Sequence, residues 1–488
     1  MFGGLTKTSS RIAIAAALGL MLGGFAFKAT PAQAADLGGD CCADLEERVA
    51  ELEATTVRKG NKKVSVTLSG WVVKSMNWWD DGDVGGFVVG DKDYDLASRF
   101  AITGSATISP GWSAGFNLTV TAPGSTFGIA SNQFDEFRAV NGDFYGSQFG
   151  SINTLYSYIY IKSDKWGTLN WGHLSPASDN PAVLADASGT VIESNFVFFE
   201  GGGFNIKNGG GATWNDYVLC SSGVAPGVDC FGTAQPAVRY DSPTWGGFRF
   251  ETSYGTAQAV PAILDERASQ FLAPALFSHP STRDSNFWDI AAFYTADWNS
   301  VKISLAGAYT WMESNPLNGA EEDYWQIGGT VIHKPSGLGV YAMGLWEEVG
   351  NGNPGRCPIA GCLVGPGLLP NTSQWGIKPF WRHTFSPMGA TIFYGEFAQY
   401  NDMYGLSLVS DATSNLPNCL SGACTPTDSE IERWGLGVVQ EIDAAAMHLW
   451  LRWQHQDGEV SFRDPGFGKG KQSFDDFNLI QGGGIIFF

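Results

Sequence analysis

Apolar and polar residues alternate along most of the chain after Val64, in segments of roughly ten residues. In Met447–Gln454 the odd positions hold Met, Leu, Leu and Trp, whereas the even positions hold His, Trp, Arg and Gln. Successive side chains of a strand point to opposite faces, so one face of this segment suits lipid and the other suits water. The same alternation recurs in four other segments: Phe100–Ile108, Phe248–Tyr254, Val301–Tyr309 and Trp375–Phe385.

Tight turns and long interruptions follow these segments in alternation, as in barrels that cross the bacterial outer membrane. The predicted tight turns lie at 110–111, 164–167, 242–246, 299–300, 334–337, 387–389 and 443–445. The fold class is therefore all-β, a transmembrane antiparallel up-and-down β-barrel of about sixteen strands with both chain ends in the periplasm. The last segment, 477–488, ends in Phe488, which we interpret as an assembly signal for barrel-assembly machinery. The alternative is a buried edge strand that happens to end in Phe.

The start of the chain has the pattern of an export signal. Lys7 and Arg11 precede an apolar run, and Ala32–Ala34 supplies a small-x-small cleavage pattern, so residues 1–34 are predicted to be a cleaved signal peptide. The alternative is a transmembrane anchor. No later run of about 18 apolar residues occurs, so we expect no spanning helix in the mature chain.

Residues 35–63 are predicted to be a separate periplasmic segment before the barrel at 64–488. Leu45, Val49 and Leu52 are spaced four and three residues apart among charged residues, which is typical of a short helical stripe. We weigh a small coiled coil at the axis of an oligomer against a frayed linker or a helix lying on the barrel rim.

Composition and charge agree with a barrel that faces water. Aromatic residues make up 13% of the chain and charged residues only 16%, against about 25% in typical soluble proteins. The net charge of −20 argues against nucleic acid as a partner. It is compatible with outer-membrane lipid and with lipopolysaccharide bridged by divalent ions.

Six of the eight cysteines form close pairs, which in an exported protein predict small disulfide-closed loops. The pairs are Cys220 with Cys230, Cys357 with Cys362, and Cys419 with Cys424. A metal site is not expected, because no His accompanies these pairs. The adjacent Cys41 and Cys42 leave an interchain bridge and free thiols both open.

The residues before and within the first strand resemble a known family. Asp40–Glu53 (DCCADLEERVAELE) and Val64–Val72 (VSVTLSGWV) are similar to the start of mature general porins of alphaproteobacteria, of the rhizobial and Brucella type. The resemblance implies a sixteen-stranded homotrimeric barrel whose third external loop folds inward to narrow the pore. It implies passive diffusion of small hydrophilic solutes and ions. The long loops with disulfides and the length of the chain depart from the family and leave gating and solute preference open.

The longest interruption, from about Leu174 to Pro236, occupies the place of that inward loop. It carries the predicted constriction acids Asp179, Asp186, Glu193 and Glu200. Alternation places seven bases on the facing wall: Arg99, Arg239, Arg249, Lys378, Arg382, Arg433 and Arg452. Acids on the loop and bases on the wall would set a transverse field across the narrow point. The alternative is that the bases only balance inward-pointing acids, namely Asp241, Glu251, Asp289 and Glu396.

No catalytic constellation or cofactor-binding motif is apparent, so we expect neither an enzyme nor a cofactor. The six His residues are scattered, and the glycine runs 201–203 and 209–211 lack the helix and lysine of a phosphate-binding loop. Three alternatives to a general porin remain open: a substrate-specific channel, for which aromatic residues along the lumen would argue, a barrel with an adhesive, structural or enzymatic role, and a secreted soluble all-β protein with a filled interior.

Overall fold

A computed structural model describes residues 63–92, 96–122, 152–196, 201–202, 204–219, 234–257, 285–315, 320–349, 371–404 and 415–488. The predicted signal peptide and helix, together with Cys41, Cys42, Cys220, Cys230, Cys357, Cys362 and Glu200, lie outside these residues.

The described chain is almost entirely β-strand. In chain order the strands are β1 Ser65–Asp80, β2 Gly85–Gly90, β3 Arg99–Ser109, β4 Trp112–Thr121, β5 Asn153–Ser163, β6 Gly167–Leu174, β7 Val218–Leu219, β8 Gln235–Asp241, β9 Phe248–Ala257, β10 Ser285–Trp298, β11 Val301–Asn315, β12 Ala320–His333, β13 Leu338–Val349, β14 Thr372–Ser386, β15 Gly389–Asn401, β16 Met403–Tyr404, β17 Thr425–Ile442, β18 Met447–Asp464, β19 Gly468–Ser473 and β20 Phe477–Phe487. One short α-helix, α1, spans Pro181–Leu184, and 3₁₀ turns span Trp214–Tyr217 and Asp443–Ala445.

Sixteen of these strands close a barrel, which confirms the predicted fold class. Each pairs antiparallel with the next, and β1 pairs with β20 from Trp71↔Phe487 to Asp80↔Asn478. β2 and β19 prolong the hairpins of β1 and β18, while β7 and β16 form a separate two-stranded parallel pair. Short turns join the strands at one end, which we name the turn end, and longer segments join them at the other, the loop end.

Side chains alternate between the two faces of the wall as the sequence predicts. On β14, Trp375, Ile377 and Trp381 are exposed on the outer face, whereas Lys378 and Phe380 are buried on the inner face. Exposed aromatic and aliphatic residues continue around the outside on β10, β12, β13 and β18. This apolar outer surface is what a barrel in a lipid bilayer requires.

Two smaller points complete the fold. Cys419 and Cys424 form the predicted disulfide, with an S–S distance of 2.10 Å. Among the described residues, no helix is both long and apolar enough to cross a membrane.

Candidate functional site

The chain between β6 and β8 turns into the barrel and follows its inner wall. We name Ser175–Leu219 the inward segment; 175–196, 201–202 and 204–219 of it are described. Its backbone is bound by side chains from one strand after another, so it runs like a hoop along the inside of the wall. The strands and residues that bind it are β8 Arg239, β9 Ser253, β10 Asp289, β12 Gln326 and Thr330, β13 Tyr341, β14 Gln374 and Lys378, β15 Tyr400, β17 Arg433 and β18 Arg452.

Helix α1 lies directly against β12. The Gln326 side chain accepts a hydrogen bond from the Ala182 amide (3.0 Å) and donates one to the Ser178 carbonyl (2.6 Å). Gly328 permits this approach, because a Cβ there would stand 2.2 Å from the Ala182 carbonyl oxygen. The hydrogen bonds of Gln326 therefore hold the helix in place, and the absence of a side chain at Gly328 leaves room for it.

A buried ion pair fixes the middle of the inward segment. Lys378 Nζ lies 2.7 Å from Asp186 Oδ2, and both side chains are fully inaccessible to solvent. The ammonium group also donates to Thr190 Oγ1 at 3.0 Å and to the Ser194 carbonyl at 2.5 Å. Because its donors are satisfied by three acceptors, this buried charge is tolerated.

Two arginines bind the next turn of the segment. Arg452 donates to the Glu193 carbonyl at 2.9 Å, and Arg433 donates to the Asn195 carbonyl at 2.5 Å. The Glu193 carboxylate lies 2.8 Å from Nδ1 of His448. Arg433 is also 3.8 Å from the carboxylate of Glu396.

Phe196 packs where this run ends. It stacks on Tyr341 with ring centroids 5.9 Å apart and is fully buried. A Cβ on Gly376 would stand 2.5 Å from its ring, so the glycine makes room for it. The apolar cluster then continues through Phe204 and Trp214 to Trp79 and Phe477.

Asp179 lies at the start of the segment, outside the strands. Ser175 and Asn180 donate hydrogen bonds to its carboxylate. Burial raises the pKa of Asp179 to about 6, and the negative charge of Asp289 acts in the same direction. The hydrogen bond from Ser175 and the positive charges of Arg239 and Arg99 oppose this rise.

Charged side chains on β8 and β9 remain partly open to water. Arg239 pairs with Asp241 at 2.7 Å, and Arg249 pairs with Glu251. The exposed fraction is 18% for the Arg239 side chain and 37% for that of Arg249, whose guanidinium lies over the Phe293 ring. These residues share the inner face, so they form a charged, solvent-accessible strip of wall.

A recess of about 380 Å³ lies on the inner faces of β1, β3, β4 and β5. Aromatic rings and polar side chains line it together, among them Trp71, Arg99, Asn117, Thr119 and Tyr156. Arg99 stands 4.4 Å above the Trp71 ring.

The predicted site residues thus fall into two groups. Asp186 and Glu193 are in direct contact with wall residues, and Lys378, Arg433 and Arg452 are covered by the inward segment instead of facing it across a gap. Arg99, Arg239, Arg249 and Arg382 keep some accessible surface, and Arg382 pairs with Glu441 at 2.6 Å. The alternative of local charge balance corresponds to observed ion pairs at Asp241, Glu251 and Glu396.

Sequence reasoning missed the uncharged residues that bind the inward segment. Gln326, Thr330, Tyr341, Gln374 and Tyr400 all occupy inner-face positions. Their parity was readable, but their type does not distinguish a wall residue facing water from one facing a loop.

Within the part of the chain that the structure describes, two groups of side chains have the composition of metal ligands. Cys419 and Cys424 lie beside Asp464, but their sulfurs are joined in the disulfide. His455, Asp457 and Asp476 lie together on the outer wall, away from the lumen.

The chain was compared with protein families, curated proteins and solved structures. The family model described as Gram-negative porin matches residues 15–458. No curated protein matches the chain. Among solved structures, it is similar to the anion-selective porin from Comamonas acidovorans, with 14% identity, a TM-score of 0.48, and coverage of 87% of this chain and 100% of that one. It is also similar to Salmonella typhi OmpF in complex with daunomycin, with 12% identity, a TM-score of 0.47, and coverage of 88% and 99%. The trimer form of Vibrio cholerae OmpT shares 10% identity, with a TM-score of 0.44 and coverage of 88% and 100%.

Proposed function

We propose a path for solutes through a chain that belongs to the Gram-negative porin family: the passage runs along the inner wall that the inward segment leaves uncovered. As a porin, the protein is a multi-pass component of the outer membrane and forms a channel for passive diffusion of small hydrophilic solutes. The observation that carries the proposed path is the contrast between the fully covered bases on β14, β17 and β18 and the partly exposed Arg239 and Arg249 on β8 and β9. Arg239 also donates a hydrogen bond to the Ser175 carbonyl, where the inward segment begins.

The uncovered wall supplies the charges that act on a passing solute. Arg239 and Arg249 lie next to Asp241 and Glu251, so both signs of charge face the water within a short stretch. Fixed charges of both signs orient dipolar solutes and disfavour large apolar ones. Arg99 extends this region toward β3, and Asp179, although buried, interacts electrostatically with Arg239 and Arg99. Of the predicted constriction residues, these form the set that we propose to act on solutes.

The inward segment has a different role in this proposal, which is to set the bore. Lys378, Arg433 and Arg452 act as anchors for it, with Asp186 and Glu193 as their partners or neighbours. Because the anchors are buried and bind carbonyl groups of the segment, they hold its position and contribute little accessible charge.

Further parts of the assignment rest on the sequence. We propose that residues 1–34 are removed on export, that Phe488 is read by the barrel-assembly machinery, and that the mature chain forms homotrimers of the rhizobial and Brucella type. We also propose that the protein is not an enzyme. The motifs at 40–53 and 64–72 support the subtype.

Liposome swelling tests the proposed passage. Vesicles containing the purified protein are placed in isosmotic solutions of a pentose, a hexose, a disaccharide and a trisaccharide. We expect swelling rates that fall steadily with solute size and rise linearly with concentration. No swelling with the pentose would contradict the proposal.

One observation favours a second candidate, a sugar-specific channel. The recess places the aromatic rings of Trp71 and Tyr156 beside the amide of Asn117 and the hydroxyl of Thr119. Aromatic faces with nearby hydrogen-bonding groups suit polyhydroxylated solutes. The swelling assay separates the two functions, because a specific channel saturates with one sugar and discriminates between sugars of equal size.

A further inference from the structure

Three side chains meet on the outer wall where the middle of β18 lies beside the start of β20. His455 and Asp457 are two residues apart on the outer face of this strand, and Asp476 immediately precedes β20. Nε2 of His455 lies 3.5 Å from Asp457 Oδ2 and 4.0 Å from Asp476 Oδ2. One ligand atom from each residue lies within 4.8 Å of the other two.

The hydrogen-bond partners of His455 indicate which of its ring nitrogens carries the hydrogen in the neutral ring. The indole Nε1 of Trp453 lies 3.3 Å from Asn478 Oδ1, and Nδ1 of His455 lies 3.1 Å from the same oxygen. An indole N–H can only donate, so this Asn478 atom is the acceptor and Nδ1 of His455 carries the hydrogen that it receives. In the neutral ring, the lone pair of Nε2 then points toward the two carboxylates.

The position of this ring is held by aromatic packing. The Trp434 ring lies 5.0 Å from the His455 ring and 4.8 Å from Trp453. Metal-ligating histidines usually donate the hydrogen of the non-ligating ring nitrogen to an oxygen, which fixes the orientation of the ring. His455 has this arrangement, and its ring is also packed in place.

The acidic residues around this site also favour the binding of a cation. Across β17 and β18, Glu432 lies directly opposite Asp457, and Glu430 lies directly opposite Glu459. Like charges in directly opposed positions destabilise a sheet. Lys471 neutralises Glu459, but in the described part of the chain no Lys or Arg forms an ion pair with Glu432, Asp457 or Asp476.

We propose that His455, Asp457 and Asp476 bind a divalent transition-metal cation of the Zn²⁺ type. One imidazole nitrogen and two carboxylates are a ligand set that Zn²⁺ accepts, whereas Mg²⁺ and Ca²⁺ prefer oxygen ligands. Three protein ligands leave one position for water on the exposed side. The site lies on the outer wall, so it is independent of the passage and of the proposed function.

Calorimetric titration of the chelator-treated, folded full chain with ZnCl₂ tests this site. We expect a binding isotherm that His455→Ala removes and that Asn478→Ala weakens about 10-fold, because Asn478 only orients the ring. MgCl₂ at the same concentration should not compete. His383→Ala is the matched control, since His383 also lies on the outer wall beside aromatic rings but has no described carboxylate partner.

Asp457→Asn provides a second variant that keeps the imidazole and should also lose the isotherm. If a proton rather than a metal joins His455 to the carboxylates, Zn²⁺ will give the same heats for the parent protein and for His455→Ala. That result would overturn the proposal.

Discussion

Lys378 on β14 and Asp186 in the inward segment form an ion pair, 2.7 Å long, in which neither side chain is accessible to solvent. Lys378 belongs to the barrel wall, whereas Asp186 belongs to the inward segment. The pair therefore links the position of the segment to the integrity of the barrel.

Removing one partner of this pair should be costly. We expect Lys378→Met to lower the free energy of unfolding by about 3–5 kcal/mol, because it leaves the Asp186 carboxylate buried without its cation. Urea unfolding in detergent measures this loss, and increased current noise should report a loosened inward segment. Lys334→Met is the control: its ion pair with Asp297 is exposed, and such pairs contribute about 0–1 kcal/mol. Equal losses in the two variants would contradict the anchoring role.

The contact at Gly328 gives a prediction of the opposite kind, by adding atoms. We expect Gly328→Ala to displace α1 and to lower the free energy of unfolding by about 1–3 kcal/mol, because the new methyl group meets backbone that cannot rotate away. Gly395→Ala is the matched control, since the nearest atom to a Cβ there is 3.8 Å away. Single-channel traces should show extra closures in the first variant and not in the second.

The raised pKa of Asp179 predicts a pH dependence. Its folded-state pKa of about 6 lies above the usual value of 3.8, so the folded state binds more protons than the unfolded state between these values. Stability should therefore fall as the pH rises from about 4 to 6, by on the order of 2 kcal/mol. Asp179→Asn should remove this part of the pH dependence of unfolding and leave the variant more stable than the parent at pH 7.

The same proton affects the passage. As the pH falls from 7 to 5, Asp179 becomes neutral and no longer offsets the positive charges of Arg239 and Arg99, so reversal potentials in a KCl gradient should move toward anion selectivity. An unchanged shift in Asp179→Asn would show that another group titrates.

Accessible and covered bases should differ in their effect on selectivity. We expect Arg249→Gln to move the reversal potential toward cation selectivity, because its guanidinium is partly exposed to the lumen. Arg452→Gln should mainly increase current noise, since Arg452 is covered and holds the Glu193 carbonyl. Lys471→Gln makes the same change in charge beside Glu459, on the outer face, and should leave the potential unchanged. A larger shift in reversal potential for Arg452→Gln than for Arg249→Gln would contradict a passage along β8 and β9.

Alternation allowed the wall to be predicted from the sequence, because the face of a strand residue depends only on its neighbours in the chain. Trp375, Trp381 and Lys378 lie on the faces that the pattern indicates. Whether an inner-face residue is exposed to water depends on whether another part of the chain folds over it. Lys378 and Arg249 are equivalent in the pattern, yet one is sealed under the inward segment and the other meets water.

The same limit applies to His455. Its partner Asp457 is two residues away, but Asp476 and Asn478 reach it only through the pairing of β18 with β20. Such contacts between distant parts of the chain have no local signature.

We propose above that a water-filled passage runs through this barrel, along the wall of β8 and β9. Planar bilayer recording of the purified, detergent-folded protein tests it most directly, with Arg239→Gln/Arg249→Gln recorded beside the parent. We expect stepwise openings that conduct K⁺ and Cl⁻, and a more cation-selective current in the double variant. Bilayers that stay silent although the folded protein has inserted would contradict it.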